Sequence, residues 1–330
     1  MQLGIASKKL RGPLRLSAIT IALSILINHQ SAHAQSGNVS VSTSNNTLDP
    51  VIVSGSRFEE NLNEVPANVK IITRDEIENS TSTNIPEILS QIGGLSVRGT
   101  NLGELGLGAT VDMGGYGATA NSTTLVLVDG QRINPIDSSE PPWASIPIDS
   151  IERIEILQGG ASVQFGNGAL GGVINIITSG GKKNLNQASV THGSFNTQIS
   201  NVLLRNIVDD LTFQLSGNAS NSNGWRQNSE ANTYAFDTKI IKQFNKTDRI
   251  YLDLLYSYSN QGNPGGVVGQ VGTGNPQLAK FNNIGANTTN TNSGLRFGLV
   301  KSINKNSIFE FDSSYNNRAL VFPKIRQNRF

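Results

Sequence analysis

Apolar and polar residues alternate along much of the second half of the chain, the period of a strand with one buried face. Between Leu211 and Ala219, the residues Leu211, Phe213, Leu215, Gly217 and Ala219 share one face, and Thr212, Gln214, Ser216 and Asn218 share the other. Ile250, Leu252, Leu254, Tyr256 and Tyr258 line a second such face, and Tyr234/Phe236/Ile240 and Leu295/Phe297/Leu299 repeat the theme less cleanly. Tight turns at Asp209-Asp210, Asn245 to Asp248 and Asn304 to Asn306 alternate with long polar loops, Ser220 to Ala231 and Gln261 to Thr291. Short turns at one end and long loops at the other suit strands that cross a membrane as a barrel. A soluble β-sandwich shows the same alternation, so the strands alone leave both open.

The first half reads differently. Short apolar runs predict strands at Val69 to Thr73, Leu95 to Val97, Leu125 to Val128, Ile154 to Leu157 and Val173 to Ile177, with a helical turn from Asp75 and a helix over Pro86 to Gln91. Pro86 in the first helical turn and Gly93-Gly94 after the last obey the start and stop rules for helices. The expectation is a small α+β domain with a mixed sheet. Two long excursions, Arg98 to Ser122 and Ile133 to Ser145, leave it, and long loops on a compact scaffold commonly carry function.

The ends refine this picture. Lys8, Lys9, Arg11 and Arg15 precede an apolar run from Leu16 to Ile27 and an Ala32-His-Ala34 site, the layout of a secretory signal cleaved between Ala34 and Gln35. That run is shorter than the roughly 20 residues a membrane-spanning helix needs. The net charge of +2 includes those four cations, so the exported part turns slightly acidic and is no electrostatic nucleic-acid binder. With no cysteine there is neither a disulfide framework nor a thiolate metal site. Residues 35–47 are Ser, Asn and Gly rich, a flexible linker.

Several motifs then fall in one order. The run from Ser150 through Ile-Glu-Arg-Ile-Glu-Ile-Leu-Gln-Gly-Gly-Ala to Val173-Ile-Asn-Ile-Ile-Thr178 follows Thr124-Leu-Val-Leu-Val-Asp-Gly-Gln-Arg132 and Ile85-Pro-Glu-Ile-Leu-Ser-Gln-Ile-Gly-Gly-Leu95. Over about residues 48 to 182 this closely resembles the plug domain of TonB-dependent outer-membrane receptors. The resemblance implies a signal at 1–34, a linker at 35–47, a TonB box at 48–56 and a plug at 57–182. The rest, 183–330, would be about seven antiparallel transmembrane strands of an incomplete barrel of about 22. It also tips the strands toward the outer membrane of a Gram-negative cell.

By that resemblance the chain is a receptor or transporter, not an enzyme, and takes up a large scarce solute: a ferric siderophore, cobalamin or another metal complex. Its partners would be TonB with the inner-membrane energising complex, outer-membrane lipid and the small-molecule or metal-chelate ligand. TonB would add as a strand to Asp49, Pro50, Val51, Ile52, Val53 and Ser54, although Pro50 removes one backbone donor. A first plug strand or plain linker is the alternative for this segment. In the excursions, Asn101, Glu104, Asn134, Asp137, Ser138 and Trp143 suit polar contacts around one aromatic platform for the solute. Family plugs usually carry arginines that pair with wall carboxylates where this chain has Gly114 and Gln158, and neither offers a guanidinium fork, which leaves the plug's latch without its usual parts.

Other chemistry is poorly supported. Gly166-Asn-Gly-Ala-Leu-Gly171 fits G-x-G-x-x-G, yet it leads into a β-branched strand rather than the helix that would receive a pyrophosphate. No cofactor is implied, and the only histidine after the signal, His192, falls in a predicted strand as a lumen or rim residue. Phe330 follows polar Lys324, Arg326 and Asn328, so the terminal aromatic lacks the apolar alternation of a barrel's closing strand. The expectation is therefore the N-terminal part of a receptor, whether a fragment, a truncated gene or an incomplete gene model. The competing reading is a plug-containing binding protein, or a truncated receptor, that does not transport.

Overall fold

The computed structural model describes residues 51–52, 60–61, 68–99, 105–178, 183–266, 274–275, 277–279, 285–304 and 307–322. Strand β1 (Val51–Ile52) pairs antiparallel with β2 (Glu60–Asn61). β3 (Asn68–Thr73) opens the plug-like region and runs into the helix Arg74–Glu78. Thr73 stops the strand by capping that helix: its side chain accepts from the Glu76 N–H, while the Glu76 carboxylate accepts from the Thr73 N–H at 2.7 Å. This reciprocal cap satisfies two orphan donors. The helix Ile85–Ser90 starts in the same manner, with the Asn84 side chain accepting from Glu87 and Pro86 in its first turn.

β4 (Leu95–Gly99) and β5 (Ala109–Met113) form a hairpin, and β6 (Thr124–Val128), β7 (Gln131–Arg132), β8 (Arg153–Gln158) and β9 (Gly172–Ile177) follow. Five strands make one sheet in the order β3-β8-β9-β6-β7, with β6 and β9 parallel and the other pairs antiparallel. The mixed sheet matches the expected one. β9 is buried along its whole length because it sits at the sheet's centre and is covered on both faces. Ile154, Ile156, Ile174 and Ile176 pack on one face against Ile85, Ile88, Leu89, Met113 and Trp143. Leu125, Leu127, Leu157 and Val173 pack on the other against Ala161 and Ala169.

Seven longer strands follow as a separate antiparallel meander: β10 (Leu185–Gly193), β11 (Thr197–Val208), β12 (Leu211–Ser222), β13 (Ala231–Gln243), β14 (Arg249–Gly262), β15 (Asn287–Asn304) and β16 (Ser307–Val321). β10 and β16 are its edges among the described residues, so the sheet is open. The predicted faces are present. Leu211, Phe213, Tyr234, Phe236, Ile240, Leu254, Tyr256, Leu295 and Phe297 point away from the plug and are exposed, whereas Gln214, Ser216, Thr233, Asp237, Lys239 and Ser257 on the opposite face are buried. The outward aromatics are matched across strands, Tyr234 with Tyr258 and Phe236 with Tyr256. An apolar exterior over a polar interior inverts the pattern of a water-soluble protein and is that of a membrane wall.

Candidate functional site

The plug rests against the polar face of the wall, and its contacts begin at the turn between β6 and β7. Asp129 there has φ 47°, and Gly130 beside it also lies in the left-handed region, where glycine is at ease. The turn is tied to the plug's own sheet: Thr178 donates its N–H at 2.9 Å and its hydroxyl at 2.6 Å to the Asp129 carboxylate, and Gly130 N–H donates to Asn175 at 3.1 Å. It is tied to the wall as well. Lys239 of β13 lies 3.0 Å from the Asp129 carboxylate, and Arg296 of β15 donates to the Asp129 carbonyl at 2.8 Å. Burial alone would raise the Asp129 carboxyl, but Lys239 and the Thr178 hydrogen bonds outweigh it and hold the group well below the usual carboxylate range.

Further contacts continue along the seam. Gln131 donates to Asp312 of β16 at 2.7 Å, and Gln214 of β12 donates to the Thr178 carbonyl at 3.1 Å. Glu152 pairs with Arg205 of β11 and, at 3.5 Å, with Arg74 of the plug. Ser189 of β10 donates to Asp149, whose carboxyl is nevertheless raised because burial outweighs that bond. Apolar contact is confined to smaller patches: Leu105 with Ile199 and Ala231, and the turn Trp143–Ser145 against β13 and β14.

The two arginine-less positions have other work. Gln158 donates to the Gly93 carbonyl at 2.9 Å and accepts from Asn68 at 2.9 Å, and Gly114 takes φ 97° in a turn where an added Cβ would meet the Tyr116 ring at 2.9 Å. Arg205, Lys239, Arg296 and Arg318 reach the plug from the wall, the reverse of the arrangement expected from the family's arginines, while Arg74 of the plug donates to Gln187 of β10 at 3.3 Å. Charges at inward positions of otherwise alternating strands were the signal for them in the sequence.

The expected solute residues separate. Asn134 is buried and spends its side chain inside the plug, accepting from the Val126 N–H at 2.6 Å and donating to the Asn121 and Thr124 carbonyls at 3.2 and 3.0 Å. Trp143 is 3% exposed and donates its indole N–H to the Ala109 carbonyl at 2.8 Å, so it is a core anchor rather than an open platform. Asp137 and Ser138 are exposed on the loop between them, Ser138 with φ 59°. Hydrogen bonds from Ser139 hold the Asp137 carboxyl below its usual range, and Arg318 of β16 donates to the Ser139 hydroxyl at 2.8 Å. Asn101 and Glu104 lie outside the described residues, as do Ala34, Gln35, Asp49, Pro50, Val53 and Ser54. Val51 and Ile52 are described as strand backbone, paired with Asn61 and Glu60. His192 is exposed near the end of edge strand β10. The G-x-G-x-x-G run serves packing: a Cβ on Gly171 would lie 2.1 Å from the Met113 carbonyl oxygen.

Comparison with known proteins agrees with this architecture. The TonB-dependent Receptor Plug Domain family matches residues 61–173. The vitamin B12 transporter BtuB of Vibrio cholerae serotype O1 is 34% identical over 163 residues, 49% of this chain and 24% of that protein. The protein of the same name from Vibrio vulnificus is 35% identical over 133 residues, 40% of this chain and 21% of its own. The chain thus spans about a quarter of the length of the curated relatives it matches. Among solved structures, the ferric-catecholate import receptor Fiu from E. coli K12 in its open form aligns with a TM-score of 0.67 at 15% identity, covering 82% of this chain and 41% of that one. The siderophore receptor PirA from Pseudomonas aeruginosa aligns at 0.55 and 20% identity, covering 77% and 41%. At those identities the structures establish a shared fold.

Proposed function

We propose that this chain, a TonB-dependent receptor plug domain joined to part of the receptor wall, serves active uptake of a large scarce solute across the outer membrane of a Gram-negative cell. One observation carries the reading: a plug is seated on the polar face of an antiparallel sheet whose other face is apolar. Among the described residues this sheet has two unpaired edges, each costly in lipid, which supports reading its strands as part of a closed wall of about 22. A wall of that size admits solutes only when its plug moves. The outer membrane supplies no nucleotide energy, and the pull comes from TonB and its inner-membrane complex acting on Asp49 to Ser54 by strand addition. The two-residue pairing of β1 with β2 is short enough to be exchanged for such a strand.

The solute class follows from relatives that are named as vitamin B12, ferric-catecholate and other siderophore receptors: a metal chelate or corrinoid too large for general pores. Its first contacts are the exposed Asp137 and Ser138, together with Asn101 and Glu104 in the neighbouring excursion. The test is uptake by the full-length protein in a host lacking its own receptors. Labelled cobalamin and labelled ferric siderophores are offered singly, with and without TonB. One of them accumulating only with TonB supports the reading; a panel in which every solute enters equally without TonB, or in which none binds or enters, defeats it. Cysteines placed singly at Val51 and Val53 should also cross-link to cysteine-bearing TonB, more readily when solute is bound.

A further inference from the structure

Four of the wall residues that touch the plug, Arg205, Gln214, Lys239 and Arg296, fall in one cross-strand row. Arg205 of β11 is in register with Gln214 of β12, Gln214 with Lys239 of β13, Lys239 with Asp253 of β14, and Asp253 with Arg296 of β15. Asp312 of β16 extends it, accepting from Arg296 at 2.5 Å and from the Tyr251 hydroxyl. Cross-strand partners share a face, so five consecutive strands deliver these groups to one level of the interior. The plug meets that level with Glu152, the Thr178 carbonyl, Asp129 and Gln131.

The contacts in the row are unequal. Glu152 is paired with Arg74 inside the plug as well as with Arg205, so it keeps a cation if the plug leaves the wall. Asp129 makes its ion pair with Lys239 across the seam, while its backbone carbonyl is held by Arg296. Lys239 in turn is shared with Asp253 and, at 3.6 Å, with Asp237, both on the wall. Withdrawal of the turn would therefore leave the wall cation compensated by Asp253 and Asp237, while Asp129 keeps its Thr178 hydrogen bonds and water takes the place of Lys239. A contact that costs the wall little to open and fixes the plug while closed has the asymmetry of a reversible catch.

We propose that this row is the seat of the plug, and that Lys239 and Arg296, gripping the Asp129-Gly130 turn from two sides, form the catch that opens when the plug moves. The assignment rests on the transport reading above. Asp129, Lys239 and Arg296 are positioning residues, since they act by holding the plug.

The experiment is hydrogen exchange on the full-length protein, following the amides of 124–132 and 172–178, for Asp129→Asn, Lys239→Met and the double variant. Each single change should speed exchange of these amides about tenfold, and the double should add little, because both remove one interaction. Lys242→Met, which breaks an exposed pair with Asp210 at the end of the wall, should leave them unchanged. Lys239→Arg should restore protection. If Lys239→Met does not assemble, Arg296→Met provides the second variant and should loosen the same amides. Unchanged exchange in the assembled variants, or fully additive effects, would overturn the catch. A receptor whose amides respond as stated but which accumulates no solute would sink the transport reading and leave the seat standing; unchanged amides in a transporting receptor would sink the seat alone.

Discussion

Two side chains show how much a single residue holds, one inside the plug and one at the seam. Asn134 satisfies the Val126 N–H and two carbonyls inside the plug, so Asn134→Ala strands two buried polar groups and a half-buried one. The expected cost is on the order of 3 kcal/mol, seen as faster proteolysis of the plug in the assembled protein with solute-independent onset. Asp129 gives a pH signature. Its folded carboxyl is depressed by Lys239 and Thr178 against the opposing effect of burial, so its contribution is fully present above the unfolded value and is lost as pH falls below about 4. Lys239, Asp237, Asp253, the Arg296 guanidinium and Asp312 are charged groups around this turn. Protection of the plug amides should fall on acidification from pH 6 to pH 3, and Asp129→Asn should flatten that dependence. An equally steep fall in the variant would assign the acid sensitivity elsewhere.

At the scale of elements, the fit is tight where β9 passes β5. Gly172 has φ 147°, and a Cβ there would lie 2.2 Å from the Met113 sulfur and 2.4 Å from the Leu157 carbonyl oxygen. Gly172→Ala should therefore unseat β9 and expose residues 68–178 to protease, while Gly193→Ala, with nothing nearer than 3.5 Å, should be tolerated. The same elements show what could be read in advance. The apolar runs at β3, β6, β8 and β9 and the Pro86 helix were legible because local pattern and tertiary role agree there. β5 was not: Ala109–Met113 is flanked by glycines inside what reads as a loop, and only pairing with β4 makes it a strand. Trp143 and Asn134 looked like solute contacts because loop position suggests exposure, yet the excursion folds back and buries both. The catch was hidden for a related reason. Asp129 reads as turn chemistry, and its partner is 110 residues away in sequence, supplied by strand register that no local pattern encodes.

For the molecule as a whole, the account stands on which face of the wall meets the plug and which meets lipid. β13 separates the two cleanly: Thr233, Ala235, Asp237 and Lys239 are buried, and Tyr234, Phe236 and Ile240 at alternate positions are exposed. Wall and plug thereby divide the labour, the apolar exterior holding the sheet in the membrane and the polar interior holding the plug by charge rather than by apolar area. Contacts made by charge and hydrogen bonds open into water at less cost than a packed apolar core, as the proposed catch requires. The most direct measurement is thiol labelling of single cysteines placed in turn at 233 to 236 in the full-length protein in outer membranes. Cysteines at 233 and 235 should resist a water-soluble maleimide until residues 68–178 are deleted and then react, whereas those at 234 and 236 should react only with a lipid-soluble maleimide, plug present or absent. Water-soluble labelling at 234 and 236, or labelling at 233 and 235 that ignores the plug, would contradict the account.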